Sequence, residues 1–230
     1  MYDYYMYYGL TSLAFLLTFG AQMYIQSVYS KYGNIHGSRG YNGASVARDI
    51  LDRNGLQSVN IQKMAGFLTD RYDPTNKNVV LSQNNFDSDS IASVAVAAHE
   101  CGHAIQHKES YAFLNIRSAM LPIVSISSYG GYMAIMMGII LNTMNLIWIG
   151  IAMEIVILVF QMVTLPVEFD ASNRALIQIQ NNGYLNEEEY AGAKKVLTAA
   201  ALTYVAGVAS TFLQIIRLVL SFGGRSNRRR

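Results

Sequence analysis

Apolar residues in this chain gather into long blocks separated by polar stretches, and the block lengths fix the first expectations. The run YYGLTSLAFLLTFGAQMYIQSVY (7–29) is about as long as a helix needs to cross a bilayer, with tyrosines near both ends. It lacks the basic leader and small-residue cleavage site of a secretory signal, so 1–29 reads as a retained anchor. The stretch 118–166 carries one charge, Glu154, and its only polar break, LNTMN (141–145), falls near the middle. A single helix of that length would overshoot a hydrocarbon core of roughly 30 Å at about 1.5 Å per residue, so a transmembrane hairpin is predicted. A last block, 196–222, forms a fourth span and leads into a basic tail at 223–230 suited to anionic headgroups.

Two polar segments, 30–117 and 167–195, are left to carry chemistry. In YNGASVARDILDRNG (41–55), Val46, Ile50 and Leu51 share a helical face and Gly55 stands at the C-cap, which predicts a short amphipathic helix. The stretch 58–82 has two β-rich runs around the DPTNK turn, predicting a strand pair whose strand at 78–82 would accept a peptide as an added strand. Asp87, Ser88 and Asp89 offer N-caps for a helix over 90–108, and its alanines at 92, 95, 97, 98 and 104 permit close packing. The expected fold is mainly α with a small β hairpin or sheet.

Composition agrees with the pattern. At 52% hydrophobic and 14% charged residues, the 230-residue chain is too apolar for an ordinary soluble domain and reads as a multi-pass protein of the cell membrane. No basic stripe with interleaved aromatics points to nucleic acid, and no glycine loop is suited to phosphate. The lone cysteine, Cys101, cannot form an internal disulfide and reads as a packing residue.

The densest chemistry lies in SIASVAVAAHECGHAIQHKES (90–110), an HExxH pattern on the predicted helix. Residues four apart share a helical face, so His99 and His103 can converge on one ion, while Glu100 points about a quarter-turn away and can reach a water without being a ligand. Imidazole donors without clustered cysteines suit one Zn2+. A third ligand is required. His107 lies about 12 Å along the axis from His99, too far to share the ion on a straight helix. His36 sits in a glycine-rich loop with no spacing to recommend it. Glu168 stands in TLPVEFDASNRALIQI (164–179), on a face with Ala171, Ala175 and Leu176 of a helix that Pro166 would open. The residues alone leave Glu168 open between ligand and ordinary acid at a helix start.

HECGHAIQH, GFLTDRYDP, VVLS and LPVEFDASNRAL together resemble the YugP-type family of membrane-associated neutral zinc metallopeptidases, over nearly the whole chain. The resemblance implies a gluzincin-like, zincin-type catalytic domain similar to that of HtpX and the CAAX prenyl proteases. His99, His103 and Glu168 would be its zinc ligands and Glu100 its general base. HtpX-like enzymes usually carry an aspartate four residues after the ligand glutamate; here that position is Ser172, with Asp170 nearby. The implied activity is endopeptidase hydrolysis of protein substrates at or near the membrane by a zinc-activated water, and the alternative is a catalytically silent zinc-binding scaffold. Arg174, His107 and Tyr72 are candidate oxyanion partners by residue type.

Four expectations concern topology. The zinc reading requires an even number of crossings between His103 and Glu168. Basic residues near the catalytic segments (Lys31, Arg39, Lys108, Arg117, Arg174, Lys194, Lys195) and the likeness to HtpX favour a cytoplasmic site, against Arg225, Arg228, Arg229 and Arg230 in the tail. Glu154 and Arg217 are expected to pair within the bilayer, and small-residue stripes (Gly130, Ala134, Gly138; Ala199, Thr203, Gly207) to mark close helix contacts.

Overall fold

The computed structural model describes residues 2–66 and 69–226; Met1, Phe67, Leu68 and the tail from 227 to 230 lie outside it, as do the side chains of 2–4 and 224–226. Among the described residues, seven helices and three strands follow in the order α1 (Tyr2–Gly33), α2 (Gly43–Arg53), β1 (Asn60–Met64), β2 (Arg71–Asp73), β3 (Asn78–Ser82), α3 (Gln83–Asp87), α4 (Ile91–Lys108), α5 (Ala112–Ile140), α6 (Met144–Asn182) and α7 (Glu187–Ser226). The protein is a mainly helical membrane protein with a small sheet, and α1, α5, α6 and α7 are each long and apolar enough to cross a bilayer. Contacts divide the chain into two compact units.

The first unit comprises Met1–Gln22, Ile116–Leu165 and Thr203–Arg230. Helices α5 and α6 form an antiparallel hairpin whose turn places Asn142 at φ 53°. A Cβ on Gly138 would meet the Ile147 nitrogen at 2.9 Å and one on Gly150 the Gly131 oxygen at 2.7 Å, so the glycines let the two backbones touch. The first small-residue stripe thus serves packing within the chain, whereas Gly207 of the second faces open space. Ile147, Ile151, Ile215 and Leu218 make a small core between α6 and α7. Large apolar side chains elsewhere point outward, Ile126 and Ile140 being 69% exposed, as lipid-facing residues are.

The expected pairing of Glu154 with Arg217 is not formed. Arg217 instead donates from Nη1 to Thr11 Oγ1 at 3.2 Å and lies 5.0 Å from the centre of the Tyr7 ring, joining α7 to α1. A hydroxyl and an aromatic face therefore receive the guanidinium in place of a carboxylate.

The second unit comprises Met23–Asn115 and Pro166–Leu202. Helix α2 follows its periodicity: Val46, Ala47, Ile50 and Leu51 are buried, and the Asn42 side chain accepts from the Ser45 amide. The cap of α4 is Ser90, which accepts from the Ser93 amide at 3.2 Å. The three expected caps do other work: Asp87 pairs with Lys63, Asp89 with His36, and the Ser88 hydroxyl accepts from the Ser90 amide. Tyr29, Tyr32, Val46, Ile50, Leu81, Val94, Ile179 and Tyr184 contribute to one apolar core around the alanine-rich α4.

The strand pair around the DPTNK turn exists as β2 and β3, but the first β-rich run breaks at Gly66 (φ 118°) and its front half becomes a third strand. That strand, β1, pairs parallel to β3, giving the order β1-β3-β2. The expectation that 78–82 would accept an added strand is therefore corrected: β3 is central, buried from Val79 to Ser82, and bonded on both sides.

Pro166 opens no new helix. Helix α6 runs through it for 39 residues, from Met144 to Asn182, and α7 likewise continues for 40 residues, from Glu187 to Ser226, without a break between its polar start and apolar end. The boundaries expected at 167 and 196 fall inside continuous helices. Only the short turn at 183–186, with Gly183 at φ 65°, separates them.

Candidate metal centre

Helix α4 carries His99 and His103 on one face, their rings 4.7 Å apart and nearly perpendicular at 82°. Helix α6 brings Glu168 against both. Its Oε2 stands 3.3 Å from His99 Nε2 and 3.5 Å from His103 Nε2. Two donors held at roughly 2.0–2.1 Å from a tetrahedral zinc lie about 3.3–3.4 Å from each other, so both separations are those a shared ion would set. Two imidazoles and one carboxylate are also a donor set that zinc accepts with a fourth position left for a reactant. The residues present fit the ion.

Gly102, between the two histidines, lets α4 and α6 meet. A Cβ there would lie 2.5 Å from the Ala171 oxygen and 3.1 Å from its carbonyl carbon. Backbone cannot yield as a flexible side chain can. Ala171 and Ala175 on α6 and Ala97, Ala98 and Ala104 on α4 are wholly buried. Small residues on both helices thus deliver Glu168 to the imidazoles.

The cluster is largely buried yet reachable: the Glu168 side chain is 5% exposed, and those of His103 and His99 are 11% and 16%. Glu100 is buried, and burial pushes its carboxyl above the ordinary range against the opposing pull of His99 and His103. Burial alone would lower the His103 imidazole, but the hydrogen bond and charge of Glu168 outweigh it and raise His103. Cys101 is buried against α2, its Sγ 3.6 Å from the Ala47 oxygen, and burial drives its thiol far upward, consistent with packing.

Each imidazole has a partner on its other nitrogen. His99 Nδ1 is 3.2 Å from Ser172 Oγ, and His103 Nδ1 is 3.0 Å from Gln106 Oε1. Ser172 thus backs His99 through a hydroxyl. Asp170 turns to Gln106 Nε2 (2.8 Å) and Arg174 Nε (2.6 Å), and Arg174 Nη1 donates to Glu109 at 2.7 Å. Gln106 escaped the sequence reading; its spacing three residues after His103 was the available signal.

The remaining candidates have partners of their own. His36 bridges by its backbone to Ser90 and pairs with Asp89. His107 Nδ1 and the Tyr72 hydroxyl bind each other at 2.8 Å, and Arg174 is occupied by two carboxylates.

A histidine pair and a glutamate thus stand together on adjoining helices of a chain that has, among its described residues, four helices long and apolar enough to cross a membrane. The chain belongs to the family whose model is described as "Putative neutral zinc metallopeptidase", which matches residues 7–223. The "Putative membrane protease YugP" of Bacillus subtilis (strain 168) is 42% identical over 213 residues, covering 93% of this chain and 95% of the relative. No solved structure gives a significant match.

Proposed function

We propose that this protein is a membrane-embedded zinc endopeptidase of gluzincin type, with His99, His103 and Glu168 holding one Zn2+ and Glu100 as general base. The convergence of Glu168 Oε2 on both Nε2 atoms carries this reading. When bound, zinc supplies a Lewis acid for the scissile carbonyl and acidifies the attacking water. Glu100 follows His99 on the helix, about a quarter-turn from the ligand face, and accepts the water's proton before returning it to the leaving amine. Its burial favours the protonated form after transfer.

Substrates are proteins at or near the bilayer. Support comes from α6, on which Glu168 stands three residues beyond Leu165 at the end of the apolar stretch. An extended peptide would add to β2, an edge strand whose Tyr72 is tied to His107 of the histidine helix. The site faces the cytoplasm, a placement supported by the basic residues around the catalytic segments.

The test compares wild type with Glu100→Gln for zinc content and for cleavage of a denatured membrane-protein panel. Turnover should fall by at least about 10²-fold with zinc retained. Equal cleavage by both would leave only a zinc-holding scaffold.

A further inference from the structure

We propose that Gln106 is a positioning residue that sets the tautomer of His103, leaving its Nε2 lone pair toward the centre, and that Ser172 orients His99 without setting its tautomer. The proposal rests on the zinc-site reading above. Gln106 is wholly buried, and its amide group is keyed. Nε2 has two hydrogens, and both are used: one donates to the Val167 carbonyl at 2.8 Å and the other to Asp170 Oδ2 at 2.8 Å. Turning the amide over would set its oxygen against a carbonyl and a carboxylate, two acceptors in a buried place. Asp170 is itself pinned by Arg174, which is anchored in turn on Glu109.

Oε1 must therefore face His103 Nδ1, where it lies at 3.0 Å. An amide oxygen only accepts, so it favours a proton on Nδ1. Nε2 meets the Glu168 carboxylate at 3.5 Å, another acceptor, so it is bare only when a cation takes its lone pair. Gln106 then keeps the single N–H on Nδ1 and the lone pair toward the centre.

Ser172 differs in kind. A hydroxyl donates or accepts with equal ease, so its 3.2 Å contact with His99 Nδ1 fixes the ring's direction and not its proton. Both partners are uncharged, in contrast to the carboxylates that commonly back metal-binding histidines.

Zinc-loaded wild type in detergent is to be examined by two-bond 15N–1H correlation, with peaks assigned through His36→Gln and His107→Gln and His103 told from His99 by the shift that Gln106→Met causes. His103 should appear as the Nδ1–H form alone. An Nε2–H His103 in wild type would overturn the proposal without any variant. Gln106→Met should populate both His103 tautomers and weaken zinc binding, measured by chelator competition, by about 10- to 100-fold. Gln106→Glu keeps an acceptor toward His103 but loses the donors to Val167 and Asp170. It should melt at lower temperature yet keep the Nδ1–H form and zinc affinity within a few fold of wild type. An equal loss of zinc affinity in both variants would show Gln106 to be only a tether and sink the idea. Absence of zinc binding by wild type would instead remove the metal reading, and this proposal with it.

Discussion

Glu168 and Tyr184 show how single side chains divide the work between site and scaffold. Glu168 provides the only carboxylate among the described residues to meet both His99 and His103 in a three-residue cluster. Zinc content should drop from near one per chain to a small fraction in Glu168→Ala, measured by metal analysis beside His103→Ala; full occupancy in Glu168→Ala would displace it as third ligand. Tyr184, away from the cluster, donates to Asp49 Oδ2 at 2.5 Å, and Arg53 Nε donates to the same oxygen at 2.7 Å. The Tyr184 bond first, and Arg53 after it, hold the Asp49 carboxyl below its ordinary range. A depressed carboxyl adds stability above its unfolded pKa of about 3.9, and that stability is lost as pH falls through the lower folded value. Tyr184→Phe should cost about 1 kcal/mol or less at neutral pH, since solvent reaches Asp49, and should flatten the acid limb of a denaturation series below about pH 4. An unchanged acid limb would show that Tyr184 does not set this carboxyl.

Helices α4 and α6 decide whether the site exists at all, and they meet through the absence of side chains. Gly102→Ala would force a methyl to within 2.5 Å of the Ala171 oxygen, and the helices would have to part. We expect a loss of about 1–3 kcal/mol in chemical denaturation together with weakened zinc binding, although no proposed ligand is altered. Wild-type zinc affinity in Gly102→Ala would refute the need for this contact. The sequence placed Glu168 on a helix and on the correct face, but it took Pro166 as that helix's start. Periodicity cannot distinguish a helix opened by proline from one that passes through it, because both present the same apolar face. The strands failed differently. Alternation located β2 and β3 around their turn, but the parallel pairing of β1 is a long-range partnership with no local mark.

For the whole chain, the apolar blocks and the polar segments make different demands. Four helices answer the bilayer, and the second unit gathers residues from before and after the hairpin. A ligand bound only by the folded state stabilises in proportion to the logarithm of its concentration over Kd. Chelation should therefore lower the melting temperature of wild type and leave His103→Ala unmoved, a comparison made by thermal unfolding in detergent. Equal shifts in both would place the stabilising ion elsewhere. In the first unit, Arg217→Gln and Tyr7→Leu should each loosen α1 from α7. Their coupling should be about 0.5–2 kcal/mol in a double-mutant cycle, while Glu154→Gln leaves it intact.

Block length and charge in the sequence determined the four membrane helices, since a bilayer of fixed thickness and low polarity admits little else. Four-residue spacing likewise determined that His99 and His103 share a face, because helical geometry is local. Which carboxylate would join them, which neutral groups would back them, and which strand would be central were settled only by packing. The first two choices depend on backbones approaching at Gly102 and Ala171 and on an amide caught between two acceptors, contacts between residues more than sixty positions apart. The third depends on β1 pairing with β3, as Asn60 with Asn78, a partnership that local alternation does not encode.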